Sequence, residues 1–302
     1  MKKPTTPPRH HCTLSGLPAP ARLDRALRDA FPQWGRQAVQ RLIAGRNVTV
    51  NGKQVWLASW QVKNGDRIEV FADPQTKSAP VARFDERWIV ADEPHWLVVN
   101  KPAGLLSHRT RWANTPGLLE LAHARGDELT LFHRLDRDTS GLVVLARTEA
   151  ANRYLDQIFK ARTVTKEYLA VVATPNQLAA QGEIRLPLAP DSKRRDKMQV
   201  VRTGGKWALT NYAVLGETDG RQLVRCWPIS GRTHQLRVHL AALDAPIIGD
   251  RLYAQETRFS QRLMLHSWRL TLPAMAPWPQ RLFTAPLPPE FAPFNPFLAD
   301  LQ

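Results

Sequence analysis

The chain has 302 residues, 43% of them hydrophobic, and carries 42 Lys and Arg against 27 Asp and Glu, a formal net charge of +15. This length accommodates one large domain and a small one, each with a core, and the excess positive charge points to a polyanionic partner, or else to a basic protein with no such partner. The 2 cysteines exclude a disulfide framework or a cysteine zinc cage, no apolar run approaches the roughly 18 residues of a membrane helix, and a cytoplasmic protein is expected.

Residues 1–15 are proline-rich and polar and read as a flexible tail, so His10-His11-Cys12 reads as tail rather than metal site. Residues 16–72 read as a small module. Leu23, Leu27, Ala30 and Phe31 share one helical face, and Val39, Leu42 and Ile43 form a second, shorter stripe. Asn51-Gly52 between short alternating runs predicts a hairpin, and Asn64-Gly65-Asp66 a second turn. Residues 73–84 read as a linker, and 85–302 as a larger domain. In the latter, strand-like runs at 88–90, 96–99, 142–146, 168–173 and 223–229 alternate with two helices. The first, 149–162, can be capped by Thr148; the second spans 232–243. The proline-rich segment 273–296 is expected to wrap the surface as irregular chain. Charge is concentrated: residues 1–15 contribute +3, 16–70 contribute +5 and 150–210 contribute +6, while the rest nearly cancels. Such clustering suits an RNA footprint.

The most informative stretch is His133-Arg134-Leu135-Asp136-Arg137-Asp138-Thr139-Ser140-Gly141, followed at once by the apolar run Leu142–Ala146. A charged turn feeding a buried strand can hold a carboxylate rigidly at the edge of a core; it also suits an ordinary charged surface loop.

The string HRLDRDTSG closely resembles the active-site motif of the RluA-type RNA pseudouridine synthases. The same order of motifs continues in Lys101-Pro102-Ala103-Gly104, Lys166-Glu167-Tyr168-Leu169-Ala170, Ser230-Gly231-Arg232-Thr233-His234-Gln235-Leu236-Arg237-Val238-His239-Leu240, Pro246–Asp250 and Leu263–His266. The resemblance covers roughly residues 85–290. It implies an α+β pseudouridine synthase fold with a mixed, largely antiparallel curved sheet. It also implies isomerisation of uridine within structured RNA, ribosomal RNA favoured over transfer RNA, with no cofactor and no metal. Asp136 would be the catalytic carboxylate and Arg232 the cation that pairs with it. Tyr168 would pack against the target base and serve as general base for the last proton removal. Arg134 would enter the space left by the flipped nucleotide, offsetting lost stacking. Lys101 and Arg237 can touch phosphate or close the fold, Asp138 and Asp250 can pair with arginine, and Lys193–Lys197 reads as a mobile basic loop near RNA.

The N-terminal pattern, with RLDRAL at 22–27, RQAVQRLI at 36–43, VNGKQV at 50–55 and NGDRIEV at 64–70, resembles the S-four-type RNA-binding module. Arg22, Arg25, Arg36, Arg41 and Arg46 are then candidates for phosphate contact, or else a solvated helix face. Departures from the synthase pattern include Ser107-His108-Arg109, Ser230 and Leu243–Pro246. Two rivals stand beside the isomerase: a non-catalytic RNA-binding or ribosome-assembly factor on the same fold, and an RNA hydrolase using Asp136 with a histidine.

Overall fold

The computed structural model describes residues 10–44, 47–55, 57–71, 83–109, 115–173, 178–192, 194, 196–254 and 262–301. The chain divides into two compact units, Met1–Val81 and Ala82–Gln302. Most of the expected linker at 73–84 lies outside the described residues.

The first unit contains β1 (His10–Thr13), β2 (Ala21–Arg22), α1 (Leu23–Ala30), α2 (Arg36–Ala44), β3 (Val48–Val50), β4 (Lys53–Val55), β5 (Gln61–Val62) and β6 (Arg67–Val70). An antiparallel sheet in the order β1-β6-β3-β4 packs Val48, Ile68 and Val70 against Leu23, Leu27, Val39 and Ile43 of the helices. Asn51 and Gly52 both have positive φ, 52° and 76°, as the predicted two-residue hairpin requires. The Asn51 side chain also accepts from Arg67 N at 2.8 Å and donates to Asp66 at 2.9 Å, tying this turn to the next.

The flexible tail expected at 1–15 is corrected for part of its length. His10–Thr13 pairs residue for residue with β6, Cys12 lies against the module core, and the His10 ring meets Trp34 edge-on at 5.1 Å. The short polar run escaped notice because only one of its side chains, Cys12, is apolar, while its partner strand supplies the rest of the core contact.

The second unit contains β7 (Ile89–Asp92), β8 (Trp96–Lys101), α3 (Leu118–His123), β9 (Thr130–Leu131), β10 (Ser140–Ala146), α4 (Glu149–Ala161), β11 (Thr165–Ala173), β12 (Gln181–Arg185), β13 (Leu188–Pro190), β14 (Met198–Val200), β15 (Leu209–Thr218), β16 (Arg221–Pro228), α5 (Gln235–Ala242), β17 (Leu265–Leu272) and β18 (Arg281–Thr284). A ten-stranded sheet runs β12-β15-β16-β11-β17-β10-β8-β7, with β18 added to β17 and β9 to β10. Every pairing is antiparallel except β10 with β17, so the sheet is mixed and largely antiparallel, and the unit is α+β.

All seven residues of β10 are buried, which is why it reads as an unbroken apolar run. Leu142, Val144 and Ala146 meet Tyr154, Leu155 and Ile158 of α4 on one face. Val143 and Leu145 meet Leu118 and Ala122 of α3 on the other. Gly141 opens the strand with φ 114°, and a Cβ there would sit 2.2 Å from the Ser267 carbonyl oxygen. Only glycine fits so close to β17, at the point where the charged turn enters the sheet.

Thr148 caps α4 as predicted, its hydroxyl accepting from Ala151 N at 3.2 Å. Helix α5 starts later than its pattern suggests, because His234 takes the left-handed conformation at φ 57°. The proline-rich C-terminal segment is less irregular than expected: it contributes β18, then a run of short helical turns whose Phe291, Phe294 and Leu298 are buried. Among the described residues no helix is long and apolar enough to cross a membrane.

Candidate active site

Residues 132–139, between β9 and β10, form a loop held from several sides. Ser107, itself buried, donates its hydroxyl to Leu135 O and accepts from Leu135 N, both at 2.9 Å. Lys101 Nζ donates to Arg137 O at 3.1 Å and to Leu105 O and Pro102 O at 2.7 and 3.0 Å. Gly104 N adds a bond to Arg137 O at 2.8 Å, and Thr139 N closes the turn on Asp136 O at 3.2 Å. His133 Nε2 accepts from Val144 N at 3.0 Å, and its ring stacks on Phe159 at 5.0 Å. Burial, with Lys166 nearby, pushes the His133 pKa down to about 3, so the ring stays neutral and keeps accepting. The histidine therefore fixes the loop to the central strand.

Asp136 emerges from this loop with its side chain 27% exposed, at the floor of a cleft of about 1440 Å³. Its Oδ2 lies 3.5 Å from Arg237 Nη1 and 3.8 Å from His234 Nε2. Arg237 stands on the first turns of α5 and is almost fully enclosed. Its Nε and Nη2 donate to Asp250 at 2.7 and 2.8 Å, and Asp250 also accepts from Leu252 N and Tyr253 N. Burial opposes the guanidinium charge, but the Asp250 bonds and the charges of Asp250 and Asp136 outweigh it and raise its pKa. Arg237 is thus a fixed cation beside Asp136.

His234 is oriented from behind. Tyr253 Oη accepts from Met198 N at 2.9 Å, so its hydroxyl proton points to His234 Nδ1, 2.7 Å away. The Nε2–H of His234 then faces Asp136. Burial lowers the His234 pKa and raises that of Tyr253 to about 12, which keeps both groups neutral in this arrangement. Lys197 lies over the Tyr253 ring at 5.2 Å, so the expected basic loop reaches the site from this side; Lys193 and Arg195 lie outside the described residues.

Two expectations are corrected here. Arg232 does not pair with Asp136: it lies in the turn before α5, its backbone N–H is held by Gln235, and its Nε donates to Trp207 O at 3.0 Å. Arg237, five residues on and inside the helix, takes the position beside the carboxylate. Lys101 does not bind phosphate: it is 0% exposed and spends its ammonium protons on three carbonyls.

Tyr168, on β11, is half-buried and lines the cleft together with Asp136 and the exposed Arg134. Burial is the main cause raising its pKa to about 12; the hydrogen bond with Ser267 opposes the shift and the Asp136 charge adds to it. Its place in the cleft beside Asp136 suits an aromatic contact with the target base. In the N-terminal unit, Arg22 is bidentate to Asp24 at 3.0 Å, Arg25 lies 3.9 Å from Asp29, and Arg36 is exposed. The Arg41 side chain and Arg46 lie outside the described residues. Sequence reasoning missed Ser107 and Tyr253. Ser107 was visible as a departure from the family pattern, but its hold on the loop was not.

Lys101 gives a test of the loop's support. Burial pulls its pKa from 10.5 down to about 7. Between those values the unfolded chain binds more protons than the folded one, so this site's contribution to stability rises with pH. Lys101→Met should lower stability by about 2–4 kcal/mol by stranding carbonyl partners, and should lack that rise. Denaturant unfolding of both proteins at pH 7 and 9.5 checks this; a variant as stable as wild type would exclude the clamp, and parallel pH dependence would exclude the lowered pKa.

The sequence profile of the RNA pseudouridylate synthase family matches residues 95–242, and that of the S4 domain matches residues 21–68. Ribosomal large subunit pseudouridine synthase D of Nitrosomonas europaea is 32% identical over 295 residues, covering 92% of this chain and 83% of that protein. The chain belongs to the RNA pseudouridine synthase family. The dual-specificity RNA pseudouridine synthase RluA of Escherichia coli K12 is 40% identical over 214 residues, covering 67% of this chain and 94% of that enzyme. The structure of human RNA pseudouridylate synthase domain containing 4 superposes with a TM-score of 0.56 at 30% identity, covering 70% of this chain and 93% of that one. This synthase is an isomerase with the pseudouridine synthase fold and an S4 domain at its N-terminus. The matched region contains Asp136, Tyr168 and Arg237, while Asp250 lies just beyond it.

Proposed function

We propose that this enzyme isomerises one or a few uridines in structured RNA, ribosomal RNA before transfer RNA, with Asp136 as the catalytic carboxylate. The observation that carries the reading is the half-buried Asp136 on a clamped loop at the cleft floor, facing the fixed cation Arg237. In the reaction the N1–C1′ bond breaks and a C5–C1′ bond forms; C5 gives up one proton and N1 gains one. The sum needs no outside reagent. A carboxylate in a sheltered site can attack carbon or take a proton, and Arg237 faces this one at 3.5 Å. Tyr168 supplies the flat face against the base. Arg134, exposed at the cleft, stacks or binds phosphate where the nucleotide leaves its helix. Arg22, Arg25, Arg36, Arg41 and Arg46 of the S4 domain contact the RNA backbone.

Ribosomal RNA is favoured because the relatives include synthases of the large ribosomal subunit; the dual-specificity relatives keep a second RNA class in view. A non-catalytic binding factor would have no use for a buried Arg237–Asp250 pair aimed at a second carboxylate. The test is pseudouridine mapping by carbodiimide labelling and primer extension on total RNA from cells with and without the gene. Loss of one or a few sites is expected. An unchanged map would count against the reading.

A further inference from the structure

Against two residues that line the cleft, Arg162 and Arg232, stands a side chain that the active-site geometry leaves unused. Trp207 is 41% exposed, and among the described residues it is the one aromatic in the set of exposed large hydrophobic side chains. Its backbone is rigid. Lys206 exchanges both backbone bonds with Leu188, at 2.8 and 3.0 Å; Ala208 is buried; and Leu209 N is held by Ser230 Oγ at 3.0 Å. Beside it Ile229 is 43% exposed, fixed through Ile229 N to Leu209 O at 3.0 Å. An apolar pair presented on a stiff frame at a cleft rim marks a contact surface rather than loose chain.

The surroundings identify the partner. The guanidinium of Arg162 lies over the Trp207 ring at 5.7 Å, and Arg162 projects from a left-handed turn that ends α4. Arg232, bonded to the Trp207 carbonyl, lies on the side nearer Asp136. Arg162, Lys166 and Ile229 line the active-site cleft and also a second groove of about 810 Å³ that continues from it along β12, β15 and β16. Farther along, that groove is lined by Trp227, with Arg225 over its ring at 4.7 Å and itself paired with Glu167. The carboxylate lining the second groove, Glu183, is occupied by Arg185 at 2.8 Å. Cations along a track and aromatic faces beside them are what a single-stranded nucleic acid needs, phosphates on the first and bases on the second.

We infer that Trp207, with Ile229 and Arg162, is a stacking platform for a base flanking the target uridine, in an RNA strand leaving the cleft along the second groove. The inference rests on the isomerase reading and adds a subsite to it. Arg232, which does not reach Asp136, acquires a role here: it braces the platform through the Trp207 carbonyl.

The experiment compares wild type, Trp207→Ala and Trp207→Phe in single-turnover assays on total RNA from cells lacking the gene. Pseudouridine is read at the modified site. Trp207→Ala should raise the half-saturating RNA concentration roughly 5- to 100-fold, as loss of one base stack does, and leave the saturating rate within about twofold. Trp207→Phe should recover most of the affinity. A short RNA around the modified uridine, made abasic at each flanking position in turn, supplies the second arm. One abasic position should weaken wild type and leave Trp207→Ala unaffected. Equal RNA dependence of wild type and Trp207→Ala overturns the platform alone, since wild-type turnover is then intact. Wild type that forms no pseudouridine overturns the isomerase reading and the platform with it.

Discussion

Asp136→Asn is expected to abolish pseudouridine formation, by about ten-thousand-fold or more, while RNA binding should stay within about threefold of wild type. The amide has the shape of the carboxylate and loses only its charge. The loop does not depend on that charge: its anchors are the Leu135 backbone on Ser107, the Arg137 carbonyl on Lys101, and His133 on Val144. Arg237 keeps its bidentate partner Asp250, so no buried cation is stranded. The substitution therefore isolates the chemical role of one oxygen. Single-turnover assays together with filter binding measure both halves; turnover within a hundredfold of wild type would assign the chemistry to another group.

Arg237→Met should have two separable effects. It leaves the Asp250 carboxylate, whose side chain is 0% exposed, without its cation, at a cost of about 3–5 kcal/mol in stability. It also removes the charge that faces Asp136, with an expected rate loss of about a hundred- to a thousandfold. The double variant Arg237→Met/Asp250→Leu separates them. Replacing a buried ion pair by apolar side chains is often neutral, so stability should largely return while the rate does not. Recovery of both would make Arg237 purely structural. Arg232→Ala supplies the contrast: it should weaken RNA binding and leave the saturating rate nearly intact, the reverse of what the motif suggests when its first arginine is taken as the partner of Asp136.

That reversal shows what a linear sequence can and cannot convey about the site. The catalytic loop was legible because its residues are contiguous and its exit into β10 is a buried apolar run. The choice between two arginines five positions apart was not, because it depends on where α5 begins. The helix starts at Gln235 only because His234 adopts a left-handed conformation, and nothing in the side-chain pattern announces that. Lys101 presents the same difficulty. By type it is a phosphate ligand; its burial follows from three carbonyls, one of them on a distant loop. The strand at His10–Thr13 went unread because its pairing partner, Arg67–Val70, lies far along the chain. Helices α1, α2 and α4, by contrast, follow from local pattern; the α+β arrangement was implied by the resemblance, and the observed sheet agrees with it.

The short parallel contact between β10 and β17 has a consequence for the birth of the enzyme. It joins Ser140 to His266, 126 residues apart in sequence, and contacts of that span form late in folding. Asp136 therefore leaves the ribosome well before Arg237, Asp250 or β17 exist to complete its surroundings. A nascent chain carries Asp136 without the neighbours that surround it in the folded enzyme, and those surroundings are complete only when synthesis of the domain is nearly finished.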